Sequence, residues 1–283
     1  MDAEFFRPLF IIFNDKCAGI YNHTHRIMHR ILHIIILALA MSGIRLEKHT
    51  WTNLLSIVTI ACGYTLHIRL VQYITTTQDT YHIAWTYFFA LFVLRYIYLF
   101  LGFSEYRSIR SFLCTRYSLD TAYNLYEIGT AWFFFQRSLS VTLLIHLHQD
   151  SLVAFFPALW SSSIREWCIL IGWVCIVVAT IINLWATHLI GIDTYFYKDL
   201  FVGRFLQEFS VTGPYRYFNN PMYGIGQASS YGLALIALSW EGILVSLLNQ
   251  CTMYLFYVII EKPHIKRILE RQQTSYSKQT ILA

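Results

Sequence analysis

Long apolar runs separated by short polar segments organise this chain. Trp51–Ile74, Tyr81–Phe103, Ala122–Leu147 and Trp167–Ile192 each have the length of a membrane-crossing helix. Met222–Trp240 and Ile243–Ile260 follow, with nineteen and eighteen residues, and neither contains a charge. As helices these two are roughly 27–29 Å long, close to the hydrocarbon thickness of a bilayer. Ile31–Ile44 is apolar but short, and reads either as an interfacial segment or as a span completed by its flanks. Ser151–Trp160 is too short to cross and contains Pro157. The pattern predicts an all-α, polytopic transmembrane helical bundle of about 6–8 spans. We read 1–283 as a single membrane domain, with no role assigned to the spans of 1–160.

Only Glu241 and Gly242 separate the last two runs, so the pattern predicts a tight antiparallel hairpin. A hairpin of two full spans returns its far ends to one face of the membrane. One far end is GPYRYFNNPMYGIGQ, Gly213–Gln227, and the other is EKPHIKR, starting at Glu261. The tail carries Lys262, Lys266, Arg267, Arg271 and Lys278, which places it in the cytosol by the excess of Lys and Arg on that side. Alternation puts Ser104–Asp120, with Arg107, Arg110 and Arg116, on the same side, and the uncharged threonines near residue 76 outside. The N-terminal Arg7, Lys16, Arg26 and Arg30 conflict with that alternation unless Ile31–Ile44 is interfacial.

Composition agrees with a membrane protein. The chain of 283 residues is 56% hydrophobic and 13% charged, against about a quarter charged in soluble domains. No secretory signal is evident among the first residues, where Asp2, Glu4, Arg7 and Asp15 surround a short apolar run. The net charge of +5 suits contact with an anionic leaflet rather than nucleic acid. Six cysteines, Cys17, Cys62, Cys114, Cys168, Cys175 and Cys251, form no CxxC pair and read as small apolar residues. His23, His25, His29 and His33 have spacings that can chelate, but no carboxylate lies near them, so an interfacial basic helix is expected and no metal. Arg95 and Glu127 fall in or near spans and are expected to neutralise one another, with lipid head-group binding as the alternative.

The two polar ends carry the chemistry. Asn220 suits a helix N-cap and Pro221 the first helical position, leaving first-turn N–H groups for an anion. Arg216 can add a charge-assisted contact. Gly224 and Gly226 would let a flat ligand lie on the backbone, and Tyr215, Tyr217 and Tyr223 offer rings to a cation or an adenine. At the partner end, Ile260 is expected to close a helix, Pro263 to stop it, and Glu261 to add a full negative charge beside the free carbonyls. Donors for a carboxylate facing acceptors for an ammonium or ribose match S-adenosylmethionine. A turn that merely delivers the chain to a helix is the bland reading of Gly213–Gln227.

GPYRYFNNPMYGIG followed by EKPHIKR resembles the membrane-embedded phospholipid methyltransferases, whose relatives include the isoprenylcysteine carboxyl methyltransferases. The likeness runs over roughly 189–271 and is closest to the larger, first-step phosphatidylethanolamine methyltransferases. It implies a catalytic core over 165–271, S-adenosylmethionine as cofactor, phosphatidylethanolamine as substrate and an endoplasmic reticulum membrane. By that resemblance, Gly224 and Gly226 match the cofactor-binding G-x-G, Pro221 and Tyr223 the P-x-Y core, and Glu261 the first acid of E-E-P. Tyr215, Arg216, Asn220 and His264 complete the expected cofactor site. Lys262 replaces the second acid, Asn220 replaces the commoner His, and no second copy of either motif is found.

The implied reaction needs a group to accept the proton of the attacking amine. Candidates are His188, Asp193, Asp199, Glu208, Glu261 and His264, with His188, Asp193 and Glu261 assigned as catalytic. Three alternatives stay open at this point: a prenylcysteine carboxyl methyltransferase, a sterol-reductase-like membrane enzyme, and a non-catalytic lipid-binding protein.

Overall fold

The computed structural model describes residues 28–46, 48, 50–76, 80–106, 108–157, 160–205 and 212–282, with backbone alone for 50, 74–76, 80 and 273–282. Cys17, His23, His25, Arg107 and Glu208, with Arg7, Lys16 and Arg26, lie outside the described residues.

Every regular element among the described residues is helical. In chain order these are α1 (Met28–Met41), α2 (Thr50–Thr76), α3 (Thr80–Gly102), α4 (Ser108–Cys114), α5 (Leu119–Leu147), α6 (Ser151–Phe155), α7 (Ser162–Ile190), α8 (Ile192–Tyr195), α9 (Lys198–Val202), α10 (Ala228–Ile236), α11 (Trp240–Phe256) and α12 (Lys262–Leu282). A π turn, Tyr257–Glu261, joins α11 to α12. Five helical stretches among the described residues are long and apolar enough to cross a membrane: Trp51–Tyr73, Tyr81–Gly102, Leu119–Leu147, Ser162–Ile190 and Trp240–Gln272. Leu54, Val93, Trp173 and Ile181 remain exposed on these helices, as expected of lipid-facing surfaces. The protein is an all-α polytopic helical bundle and an integral membrane protein.

α5 is the central helix. One apolar cluster joins Tyr123 and Tyr126 of α5 to Leu99 and Phe103 at the end of α3, Phe201 of α9 and Ile268 of α12. A second joins Leu144 to Phe88 of α3, Ala234 of α10 and Val245 of α11. The clusters mark the two ends of the bundle. At the first end, Glu105 binds Arg267 (2.6 Å) and Arg271 (2.9 Å), so the α3–α4 connection and the C-terminal tail lie at the same face. At the other end, Glu241 is hydrogen-bonded by Ser151, and Asp150 and Leu152 donate backbone N–H bonds to Ala237 (2.9 Å) and Leu238 (2.8 Å).

Three local expectations are corrected. Met222–Trp240 is not one nineteen-residue span: only Ala228–Ile236 is α-helical, preceded by a 3-10 turn at Ile225–Gln227. The chain reverses through Leu238, at φ 50°, and Ser239 caps α11 by accepting the Gly242 N–H at 2.9 Å. The reversal therefore precedes Glu241, which occupies the first turn of α11. α10 is short yet held tightly, because it meets α7 backbone to backbone. A Cβ on Gly172 would lie 2.6 Å from the Gly232 carbonyl oxygen, and one on Gly232 2.4 Å from that of Gly172, the close approach small residues allow between membrane helices.

Pro263 does not stop the last helix. α12 runs on to Leu282, and the wider π turn ending at Glu261 absorbs the missing proline N–H and its ring. The free carbonyls expected at Ile260 are therefore not a helix end. Nor does Arg95 pair with Glu127. Glu127 is bound instead by Lys48 (2.7 Å) and Arg45 (3.4 Å) from the α1–α2 connection. Those partners are distant in sequence, and helical periodicity carries no information about them.

Candidate functional site

The site begins with a phenol chain. Tyr223 Oη donates to Glu261 Oε2 at 2.8 Å, and Tyr197 Oη lies 2.8 Å from Tyr223 Oη. Since Tyr223 gives its proton to Glu261, Tyr197 is the donor to Tyr223. Burial, and then the Glu261 charge, push both phenols above their ordinary value, so both remain protonated donors. Tyr197 sits at φ 62° before α9, a left-handed residue that turns the chain into the bundle. Glu261 Oε1 has no hydrogen bond from a described residue.

Aromatic rings surround this chain. Phe134 of α5 stands 5.7 Å from Tyr195 and 6.3 Å from Tyr197. Tyr96 of α3 stands 4.9 Å from Phe256, in the turn of α11 before the π turn. Tyr223 meets Tyr257 at 5.9 Å.

The segment Asn220–Gln227 is self-contained. Tyr223 N donates to Asn220 Oδ1 at 3.2 Å; Gly224 N bonds to Asn220 O at 3.0 Å, Gly226 N to Pro221 O at 2.8 Å, and Gln227 N to Gly224 O at 3.0 Å. The expected row of free N–H groups is thus largely consumed inside the turn, and this is a correction: Asn220 caps, but no helix N-terminus opens behind it. Gln250 of α11 clamps the turn by donating to the carbonyls of Tyr223 and Gly224, both at 3.1 Å. Gly226 is buried against α7, where Asn183 Nδ2 donates to its carbonyl at 2.8 Å. A Cβ there would fall 2.3 Å from Asn183 Oδ1, so helix contact alone requires this glycine. Gly224 faces Tyr254 Oη, 3.0 Å from where its Cβ would stand.

The remaining predicted residues divide. Pro221 is buried in the turn, and Tyr215 Oη lies 3.4 Å from Met222 Sδ. Burial, and then the charge of Glu261, raise the Tyr215 phenol, which brings the GPYR segment into the field of the π turn. Arg216 is exposed, with the Tyr217 ring 6.0 Å away and no ion pair to a described residue. His264 is fully buried and points away from Glu261's partners, with Nδ1 2.9 Å from Glu105 Oε2 and the ring stacked on Phe103 at 5.2 Å. It joins α12 to the α3–α4 connection.

His188 is exposed, its Nδ1 3.2 Å from His33 Nε2 of α1. Asp193 is held by Lys198 (2.8 Å) and Arg45 (3.0 Å). Burial would raise its carboxyl, but those two cations outweigh burial and hold it below the usual range. Asp199 is buried and accepts from Thr194 Oγ1 at 2.7 Å. The structure therefore gathers Tyr223 and Glu261, with Tyr215 nearby, and leaves His188, Asp193 and His264 in other contacts. Sequence reasoning missed Tyr197, Asn183 and Gln250. Asn183 was visible as a polar residue in the cleanest apolar run, but nothing local connected it with Gly226.

Residues 167–272 match the family model described as phospholipid methyltransferase. The chain resembles the phospholipid methyltransferases. The match extends the motif-based likeness back into α7, the helix that seats Gly226, and ends with it just beyond Arg271. Among curated relatives, the phosphatidylethanolamine N-methyltransferase of Yarrowia lipolytica is 27% identical over 174 residues, 56% of this chain and 18% of that protein. Those of Talaromyces marneffei and Kluyveromyces lactis are 29% and 28% identical, over 54% and 53% of this chain and 15% and 18% of theirs. The aligned part thus spans less than a fifth of each of these relatives. No solved structure matches the chain. The phospholipid methyltransferase likeness implies a methyl donor. Among the described residues no group of three or more His, Cys, Asp or Glu is placed to hold a metal ion.

Proposed function

We propose that the chain catalyses methyl transfer to the amine of phosphatidylethanolamine, with S-adenosylmethionine as donor and residues 165–271 as catalytic core. The observation that carries this reading is the Tyr223–Glu261 hydrogen bond, which joins the two motif halves inside the segment resembling phospholipid methyltransferases. The printed names of the relatives supply the substrate class.

The residues fit such a donor. Glu261, fixed by Tyr223 and with Oε1 free of described partners, suits an ammonium group or ribose hydroxyls. The rings of Tyr195, Tyr197 and Phe256 suit a sulfonium cation. When bound, the donor supplies a methyl group whose bond to sulfur breaks as the bond to the amine nitrogen forms. The chain's part is to hold the amine neutral, oriented and dry. Tyr197 and Tyr223 lock the Glu261 carboxylate in one orientation towards the donor, and with Oε1 so engaged the amine's proton leaves to water before the attack. Asp193, committed to two cations, is a poor base, and His188 serves as a structural contact to α1. We further infer that the membrane is that of the endoplasmic reticulum and that the Arg267-bearing face is cytosolic, supported by the basic residues of α12.

The test is direct. Full-length chain in liposomes of phosphatidylethanolamine, given methyl-labelled S-adenosylmethionine, is expected to label the lipid. Label appearing in a prenylated cysteine and not in lipid would overturn the assignment.

A further inference from the structure

Arg95 lies in the middle of α3, inside the span Tyr81–Gly102, and is 3% exposed. Its guanidinium is sandwiched between the rings of Tyr96 and Phe134, at 5.1 and 5.0 Å, yet Nε and Nη1 are buried without a hydrogen-bond partner. Among the described residues no carboxylate lies within ion-pair distance of it, and Glu261 is a carboxylate whose charge it feels from farther off. Arg137, one helix away on α5, is little better served. Among the described residues its Nη1 reaches only neutral atoms, Gln227 Oε1 at 3.4 Å, Asn249 Oδ1 at 3.3 Å and Met253 Sδ at 2.9 Å, and its Nε is buried and unpartnered. Two guanidinium groups in a membrane interior with donors to spare are costly unless something anionic answers them.

Both face the aromatic cluster around Glu261. Phe134 lies under Arg95 and also touches Tyr195 and Tyr197. Tyr96 lies over it and touches Phe256. Burial raises the Tyr195 phenol, and the charges of Arg137 and Arg95 both pull it back; at Tyr197, burial and Glu261 push upward and Arg95 opposes. Tyr197 is thus within reach of a carboxylate on one side and a guanidinium on the other.

We propose that Arg95 and Arg137 form the anion-binding half of the substrate site and hold the phosphodiester of a zwitterionic phospholipid, whose amine is thereby directed towards Glu261. This rests on the reading of the site as one for phosphatidylethanolamine and names the contact that would select it. Planar guanidinium donors suit phosphate oxygens, and a phosphate would satisfy the three buried orphan N–H atoms together. α3 and this part of α5 lie before residue 167, outside the matched family segment, so the N-terminal spans would supply lipid recognition while the C-terminal part supplies donor binding.

The test uses the full chain in detergent and compares wild type with Arg95→Met, Arg95→Lys and Arg137→Met. Native mass spectrometry reads retention of phosphatidylethanolamine against diacylglycerol, which lacks the phosphate. Wild type is expected to prefer the phospholipid at least tenfold, Arg95→Met to lose that preference, and Arg95→Lys to recover part of it. Melting temperature without lipid is expected to hold or rise in Arg95→Met, since an unanswered charge has been removed. Binding of S-adenosylhomocysteine is expected to stay within twofold. Unchanged lipid preference in both Met variants would overturn the proposal, as would a tenfold loss of S-adenosylhomocysteine affinity with lipid retention intact, which would assign the arginines to the donor's carboxylate. Because retention needs no turnover, a wild type that binds lipid through Arg95 but labels none would refute the methyltransferase reading alone.

Discussion

Tyr223 and Glu261 are thirty-eight positions apart and share one hydrogen bond, Oη to Oε2 at 2.8 Å. That bond closes the turn Asn220–Gln227 onto the π turn Tyr257–Glu261 and makes one site of two motif halves. Removing it by Tyr223→Phe leaves the carboxylate held by nothing else among the described residues. A hydrogen bond to a charged group is worth about 1.5–3 kcal/mol, so methyl transfer is expected to fall roughly 10- to 100-fold. Steady-state kinetics with varied donor check this; a variant with wild-type kcat/KM for the donor would show that the bond is only structural.

Gly226 yields a prediction of a different kind. With Asn183 Oδ1 2.3 Å from where a Cβ would stand, Gly226→Ala forces α7 and the turn apart. Overpacking of this sort costs about 1–3 kcal/mol. The same substitution in an Asn183→Ala background is expected to cost less, because the obstructing amide is gone. Thermal unfolding of the four proteins in one detergent measures the coupling, and equal costs in both backgrounds would rule out the contact.

Acid should loosen the face that carries Glu105. Burial favours the protonated form of Glu105, but Arg267 and His264 outweigh it and hold the carboxyl below its usual value. A carboxyl whose folded pKa is depressed stabilises the fold fully above its unfolded value, about 4.3, and that contribution disappears as pH falls through the lower folded value. The melting temperature of wild type should therefore exceed that of Glu105→Gln near neutrality, and the gap should close in acid. A gap that persists below the folded value would mean that packing, not charge, joins the α3–α4 connection to α12.

The apolar runs made all five long helices legible, the last without its continuation beyond Ile260, because hydrophobic length alone decides what crosses a bilayer. Meeting of Gly213–Gln227 with Glu261 was legible too, since a chain that crosses and returns must bring those ends together. Hydrophobicity could not distinguish a continuous span from the turn and short helix at Met222–Ile236, where glycine contacts with α7 and the Gln250 clamp decide the backbone. Pro263 was read by its local rule, and a π turn offered the backbone another solution. Arg95 and Glu127 were recognised as costly charges, but their partners depend on helix rotation and on the α1–α2 connection. No periodicity records either.

Calorimetric titration of purified full-length chain with S-adenosylhomocysteine, for wild type and Glu261→Gln side by side, bears most directly on the account. Saturable binding by wild type and at least a hundredfold weakening in Glu261→Gln, with the melting temperature of the apo protein little changed, is the predicted result. Equal affinity in the two proteins, or no binding by wild type, would contradict it and remove the donor from the Tyr223–Glu261 site.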